Sequence, residues 1–386
     1  MRGRFDVGPG VYLDGNSLGA LPRSVPGRIE EVIRREWGEL RIASWRQSGW
    51  WTAPERIGDR IAPLVGAAPG QITVGDSTSV NVFKALVAAV RMAPDAAGGA
   101  PRDEILVDGA TFPTDGYVAA SAARLTGHTP RRVAPADVPA ALGPRTAAVL
   151  LNHVDYRSGR LHDLPGLTAA AHEAGALVVW DLCHSAGALP VDLDAHGVDL
   201  AVGCTYKFLN GGPGSPAFLY VRRGLQDRFD SPLPGWNSHA DPFAMRDGYE
   251  AAGGAARGRV GTPEILSLLA LDAALGVWDG VSLAEVRRKS LALTDFFAEC
   301  VAGYLPPGAV EVLTPLAHGE RGSQLALRCP DAGAVMRRLD EAGVVGDHRP
   351  PDVLRFGFAP LYVSFADAER AAGALAAVLA ETPRVP

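Results

Sequence analysis

Apolar positions recur along this chain with two spacings. Helical spacing predicts helices over residues 24–40, 54–65, 80–90, 115–125, 164–174, 264–278, 283–301, 332–341 and 366–379. Short apolar runs predict strands over residues 11–13, 72–74, 105–107, 147–151, 176–181, 200–203, 218–221, 310–313, 324–328 and 353–356. In the first helix Ser24 stands at the N-cap, and Ile29, Val32 and Ile33 share the apolar face. Runs such as ALVVWD show no polar alternation, so the strands they form are expected to be covered on both faces. Their alternation with helices predicts an α/β fold, with a mainly parallel sheet flanked by helices. The last third changes to an α+β pattern. Three parts are expected: an N-terminal segment (residues 1–65) packing on both domains, a large domain (66–280), and a smaller C-terminal α+β domain (281–386).

Composition narrows the functional classes. A 386-residue chain that is 47% hydrophobic and 21% charged can bury a large core, which excludes a disordered protein. The net charge of −6 argues against a nucleic-acid partner held by phosphate neutralisation. No uninterrupted apolar run is long enough for a membrane span, and the N-terminus does not read as a secretory signal. Cys183, Cys204, Cys300 and Cys329 form no CxxC pair, so they are expected to be free thiols rather than metal ligands. Only three of the 37 basic residues are lysines: Lys84, Lys207 and Lys289. Arginine keeps its proton, whereas lysine can lose one and act as a nucleophile, so any amine chemistry rests on one of these three.

In parallel α/β sheets ligands bind beyond the carboxyl ends of the strands. Three such ends carry polar residues. After residues 72–74, Asp76, Ser77, Thr78 and Ser79 lead into a helix, where hydroxyls and backbone N–H groups can cradle a phosphate or serve as ordinary caps. The strand ending WDLCHSAG places Asp181 and His184 together; a carboxylate there needs a cationic partner, such as a protonated ring nitrogen. Past residues 200–203, Lys207 sits in a Gly-rich turn between Tyr206 and Asn210 and is the best candidate for a Schiff base. Lys84 lies inside a helix and Lys289 on an exposed helix face, both with structural or solvated roles. Gly15–Gly19 matches the G-x-S-x-G serine-hydrolase elbow, but only sixteen residues precede Ser17, too few for the strand and oxyanion loop that the elbow requires.

Taken together, the motifs YLDGNSLGALP, DSTSVNVFK, TFPTDGY, WDLCHSAG, TYKFLNGGPGSPAF, PGW, RVGTPEIL and LRFGFAPLY resemble pyridoxal-phosphate (PLP) enzymes of fold type I, class V aminotransferase group. Within that group the chain resembles the kynureninases, most specifically through GNSLG, FPTD with the later PGW, and LRFGFAPLY. The resemblance implies that residues 66–280 bind PLP. Lys207 would carry the cofactor and shuttle the Cα proton, Asp181 would pair with the pyridinium, and Tyr206 would reach the phosphate and donate a proton. Thr78 and Ser79 would hold the phosphate, Phe112 would stack on the ring, and Asp115 and His184 would line the pocket. Trp236 and Thr262 would be lent across a homodimer interface to the neighbour's phosphate. Arg355 would clamp the substrate α-carboxylate, with Asn16, Ser17 and Trp45 contributing to the substrate pocket. The implied reaction is hydrolysis of the Cβ–Cγ bond of L-kynurenine, 3-hydroxykynurenine or a ring-substituted analogue, giving L-alanine and an anthranilate. It implies a cytoplasmic enzyme of tryptophan degradation toward NAD biosynthesis that needs no metal. The alternative is another class V lyase of the cysteine desulfurase kind, for which Cys329 is the C-terminal candidate nucleophile.

Overall fold

A computed structural model describes residues 1–95, 99 and 101–381. Near the N-terminus β1 (Phe5–Asp6), β2 (Val11–Tyr12) and β3 (Leu21–Pro22) are short, and β1 pairs antiparallel with β3. The large sheet contains β4 (Ile72–Val74), β5 (Glu104–Asp108), β6 (Thr129–Val133), β7 (Thr146–Asn152), β8 (Leu177–Asp181), β9 (Leu200–Gly203) and β10 (Phe218–Val221). Its order is β4-β10-β9-β8-β7-β5-β6. Every adjacent pair from β9 to β6 is parallel, and β10 is antiparallel to both its neighbours. A second sheet has the order β11-β12-β15-β14, from β11 (Glu311–Val312), β12 (Gln324–Arg328), β14 (Asp347–Arg349) and β15 (Val353–Gly357). In a separate two-stranded sheet, β13 (Val344–Val345) pairs in parallel with β2.

The two-sided apolar runs do what their pattern requires. Alternate residues of the central strands enter two different cores. Leu106, Val149, Leu151, Val178 and Trp180 join one, which also holds Leu325, Leu327, Leu354 and Phe356 of the second sheet. Ile105, Val107, Leu150 and Val179 join the other, beneath the helices Thr78–Met92 and Pro113–Thr126. Ala85, Ala88, Ala89, Ala119 and Ala123 are fully buried there, and their small side chains let the helices lie close on the sheet. No single helix among the described residues is long and apolar enough to cross a membrane.

Three local expectations change. The helix expected over residues 24–40 is an α-helix only over Val25–Glu31 and continues as a wider π-helical turn over Val32–Leu40. Its Ser24 hydroxyl does not cap the helix but donates to the Ala273 carbonyl, and Ile33 faces solvent. Glu36 is buried beside Val32 instead, paired with Arg28 at 2.6 Å and accepting from Trp50 Nε1 at 2.6 Å. Lys289 is half-buried rather than exposed, its ammonium donating to the Pro360 carbonyl at 2.6 Å. The strands β6 and β14 have no apolar run: β6 is a largely exposed edge strand, and β14 is the polar stretch Asp347–Arg349.

Candidate active site

The strands from β9 to β5 run in one direction, so their carboxyl ends gather at one edge of the sheet. A cavity of about 250 Å³ opens there. Asp181 ends β8 and Asn152 ends the adjacent β7, and the two are register partners. Asn152 Nδ2 donates to Asp181 Oδ2 at 2.8 Å, and the Cys183 N–H donates to Asp181 Oδ1 at 2.7 Å. Asp115, in the first turn of the helix Pro113–Thr126, receives a longer bond from the same Asn152 amide at 3.4 Å. Burial first, and the Asp181 carboxylate second, push the Asp115 carboxyl well above the usual carboxylate range. Two carboxylates sharing one amide in a low-dielectric site cannot both ionise cheaply, so the Asp115 carboxyl is driven toward its protonated form.

Lys207 follows β9 and reaches the same cavity. Its Nζ lies 3.1 Å from His184 Nε2. Burial, then the charges of Lys207, Arg355 and Arg349, hold the His184 imidazole well below its ordinary value, so it is neutral and accepts from the ammonium. Burial opposes the Lys207 charge, but the Cys204 and Cys183 sulfurs and Asp181 outweigh it, and the net direction is upward. The Cys204 sulfur and burial raise the Tyr206 phenol, which keeps its proton. Thr78 and Ser79 open the helix Thr78–Met92, capped by Ser77, whose hydroxyl accepts from the Val80 N–H. Phe112 precedes the neighbouring helix, 42% exposed, with its ring edge-on to Tyr156 at 5.3 Å.

The opposite wall comes from the chain ends. The strand β15 holds Arg355, fully buried, and pairs with β14 so that Asp347 lies directly across from Arg355. Arg355 Nε donates to Asp347 Oδ1 at 2.8 Å, Nη2 donates to Asp347 Oδ2 and to Ser17 Oγ, and Nη1 donates to the Tyr156 carbonyl at 2.6 Å. The GNSLG segment is wedged between this strand and the lysine turn. Its Gly19 N–H donates to the Tyr206 carbonyl at 2.7 Å, and a Cβ at Gly19 would collide with the Lys207 carbonyl and Asn210. A Cβ at Gly357 would collide with the Asn16 side chain in the same way. Burial, then Asp347, push the Asp14 carboxyl up to about 6.

Asn16, Ser17, Thr78, Ser79, Phe112, Asp115, Asp181, His184, Tyr206, Lys207 and Arg355 thus all line one cavity. Trp236, Thr262 and Trp45 do not. Trp236 is 40% exposed and packs with Trp45 and Trp51 at ring separations of 6.5 and 5.6 Å. Thr262 is exposed on a neighbouring turn, near Lys84, which is buried and paired with Asp76 at 2.7 Å. Five cavity residues carried no assignment in the sequence: Thr114, Asn152, Tyr156, Cys183 and Arg349. Asn152 could have been found as the polar end of an apolar strand. Arg349 lies in a strand with no apolar signal. Ser17 is not arranged as a hydrolase nucleophile: its hydroxyl donates to Asp347 and accepts from Arg355 rather than pairing with an imidazole. Cys329 is fully buried outside the cavity with its thiol pushed up to about 11 by burial, then by Asp352. Cys183, the cavity thiol, is raised well above its usual range by its contact with Cys204 and by burial.

Comparison with known proteins places this geometry. Residues 286–375 match the kynureninase C-terminal domain, and residues 102–317 match the class-V aminotransferases. The kynureninase of Deinococcus radiodurans is 51% identical over 388 residues, covering 98% of this chain and 93% of its own length. That of Burkholderia pseudomallei is 46% identical over 372 residues, covering 95% and 89%. Among solved structures, the cysteine desulfurase CsdA from Escherichia coli superposes with a TM-score of 0.83 at 19% identity, over 98% of this chain and 97% of its own. The cystine C–S lyase C-DES, as a lysine mutant with glycine covalently linked to its PLP cofactor, gives 0.83 at 20% identity, over 97% and 99%. These likenesses show the fold-type I architecture. The sequence relationship over nearly the full length shows that the chain belongs to the kynureninase family.

Proposed function

We propose that this protein is a PLP-dependent hydrolase that cleaves the Cβ–Cγ bond of L-kynurenine or 3-hydroxykynurenine to L-alanine and an anthranilate. One observation carries the reading: in a chain about half identical to a kynureninase along its length, Lys207, Asp181 and Arg355 converge on one cavity from three separate elements. The donor set fits the cofactor. An amine for its aldehyde, a charged carboxylate for its pyridinium and a hydroxyl-bearing helix N-terminus for its phosphate lie around the same space. Lys207 would hold the cofactor, Asp181 its ring nitrogen, and Thr78 and Ser79 its phosphate, with Phe112, Asp115 and His184 around the ring. When bound, PLP supplies an electron sink for the carbanions formed at Cα and Cβ.

The chain's own groups do the rest. Arg355 anchors the substrate α-carboxylate beside Ser17 and Asn16. Lys207 Nζ, held by neutral His184, takes and returns the proton at Cα. Water adds to the γ-carbonyl carbon, the Cβ–Cγ bond breaks, and Cβ receives a proton from the protonated Tyr206 phenol. Asp115, kept neutral, adds no second negative charge beside Asp181. The exposed Trp236 and Thr262 would complete a neighbour's phosphate site in a homodimer, with Trp45 near the substrate ring. Such an enzyme would work in the cytoplasm, in tryptophan degradation. A cysteine-based lyase reading is not favoured, because Cys329 does not line the cavity and the contact with Cys204 and burial push the Cys183 thiol upward, away from the thiolate a nucleophile needs.

The test is spectroscopic and chemical. Purified protein with PLP should show a visible absorbance band that borohydride bleaches, and should release equimolar L-alanine and anthranilate from kynurenine. Lys207→Ala should lose both, while Lys289→Ala keeps both. Retention of a reducible band in Lys207→Ala would remove the assignment.

A further inference from the structure

Arg355 is buried with most of its donors already used. A guanidinium has five N–H groups. Two go to Asp347, one to Ser17 Oγ at 2.9 Å and one to the Tyr156 carbonyl at 2.6 Å, leaving one on Nη1. A carboxylate is recognised best by two parallel N–H bonds from one fork. The fork formed by Nε and Nη2 is held by Asp347, so a substrate α-carboxylate meets an internal rival of its own chemistry. Asp347 is largely but not fully buried, and displacing it with no other cation at hand would leave a charge poorly compensated, which is unfavourable.

Arg349 removes that difficulty. It stands two residues from Asp347 on β14, on the same face. Its Nη2 already donates to Asp347 Oδ2 at 2.8 Å. Arg349 Nε is buried without a hydrogen-bond partner, and the side chain lines the cavity. A second cation with a spare donor therefore waits beside the carboxylate that must let go. We propose that Arg349 is a positioning residue that retains Asp347 when the substrate α-carboxylate takes the Arg355 fork, so that the pair sets substrate affinity by carboxylate exchange. The inference rests on the reading that Arg355 holds the substrate carboxylate.

Titration calorimetry of the PLP-loaded enzyme with L-alanine tests it without turnover. Arg349→Gln leaves Asp347 with Arg355 as its one arginine partner, strengthens the rivalry, and should weaken L-alanine binding by roughly tenfold or more. Arg349→Lys keeps the charge and should stay within about threefold of the parent. Asp347→Asn removes the rival and should bind L-alanine at least as tightly as the parent. The decisive arm is Arg349→Gln combined with Asp347→Asn: affinity should return toward the parent value, because no carboxylate is left to compete. With kynurenine, the Arg349→Gln effect should fall on KM and not on kcat. A double variant that binds no better than Arg349→Gln alone overturns the inference, as does Asp347→Asn binding more weakly than the parent. Arg355→Leu separates the two levels. If it leaves L-alanine affinity unchanged, the Arg355 reading itself falls; if it abolishes binding while the double variant shows no rescue, only the exchange falls.

Discussion

The two walls of the cavity are built on opposite electrostatic plans. The floor, at the strand ends of β7 and β8 with the lysine turn beyond β9, has one dominant charge of each sign. Asp181 is anchored by Asn152 and the Cys183 N–H, its neighbour Asp115 is neutral, and Lys207 is held by a neutral His184. The far wall, from residues 14–17 and the strands β14 and β15, gathers both arginines, Arg349 and Arg355, on Asp347 and brings Asp14 within reach of all three charges. The floor is preorganised, with Asp181 held by two donors and the Lys207 ammonium by His184. The wall is overcommitted, with carboxylates and arginines in competition. A preorganised floor suits a cofactor that stays, and an exchangeable wall suits a substrate carboxylate that comes and goes.

Variants can break that contrast, and the largest effect should come from the floor. Asp181→Ala removes the carboxylate held by Asn152 and the Cys183 N–H and should lower kcat by about 100-fold or more, with weaker cofactor retention read by dialysis and absorbance. A variant that kept parental kcat would mean the floor charge is dispensable. Next, Asn152→Ala deletes the amide joining Asp181 to Asp115. Loss of a buried bond to a charged group should cost about 1.5–3 kcal/mol of stability in denaturant titration. Equal stability would show that the floor does not depend on its bridge.

The smallest effect should come from the wall, through Asp14. Its carboxyl is raised from the usual 3.8 to about 6, by burial and then by Asp347, while Ser17, Arg355 and Arg349 pull the other way and the Tyr12 and Tyr362 phenols face it. Between those values the folded state binds more protons than the unfolded one, so stability falls as pH rises through this window and stays lower above about 6. Asp14→Asn cannot ionise and should lose that slope, gaining about 1–2 kcal/mol relative to the parent above the window. An unchanged slope would mean that Asp14 is not the group responsible.

Much of the floor was legible before any coordinates. An apolar strand that ends abruptly in Asp181 signals a sheet edge, because a bare carboxylate would not otherwise be tolerated there. Lys207 follows the next apolar strand in the same way. The central helices and strands were legible because burial on both faces leaves long apolar runs. The wall was far less so. The polar strand β14 carries no hydrophobic period, and the exposed edge strand β6 shows none either. Arg355 was visible through its motif, but Asp347 and Arg349 were not, since their meaning depends on a cross-strand register. The expected face of the first helix failed at Ile33 because Glu36 found Arg28 and Trp50 as buried partners, which periodicity alone cannot anticipate.

The sequence by itself determined the fold class, the rarity of lysine, and the motifs whose order along the chain identifies the family. Local patterns suffice for these, because helix period, strand burial and turn chemistry act over a few residues. Only the tertiary structure decided how Lys207 is held beside His184, which of two carboxylates is driven toward its neutral form, and which carboxylate already occupies the Arg355 fork. Ser17 and Asp347 lie 330 positions apart and still share a hydrogen bond. Charge state and competition depend on distances through space in a medium of low dielectric, and those distances exist only once the chain has closed on itself.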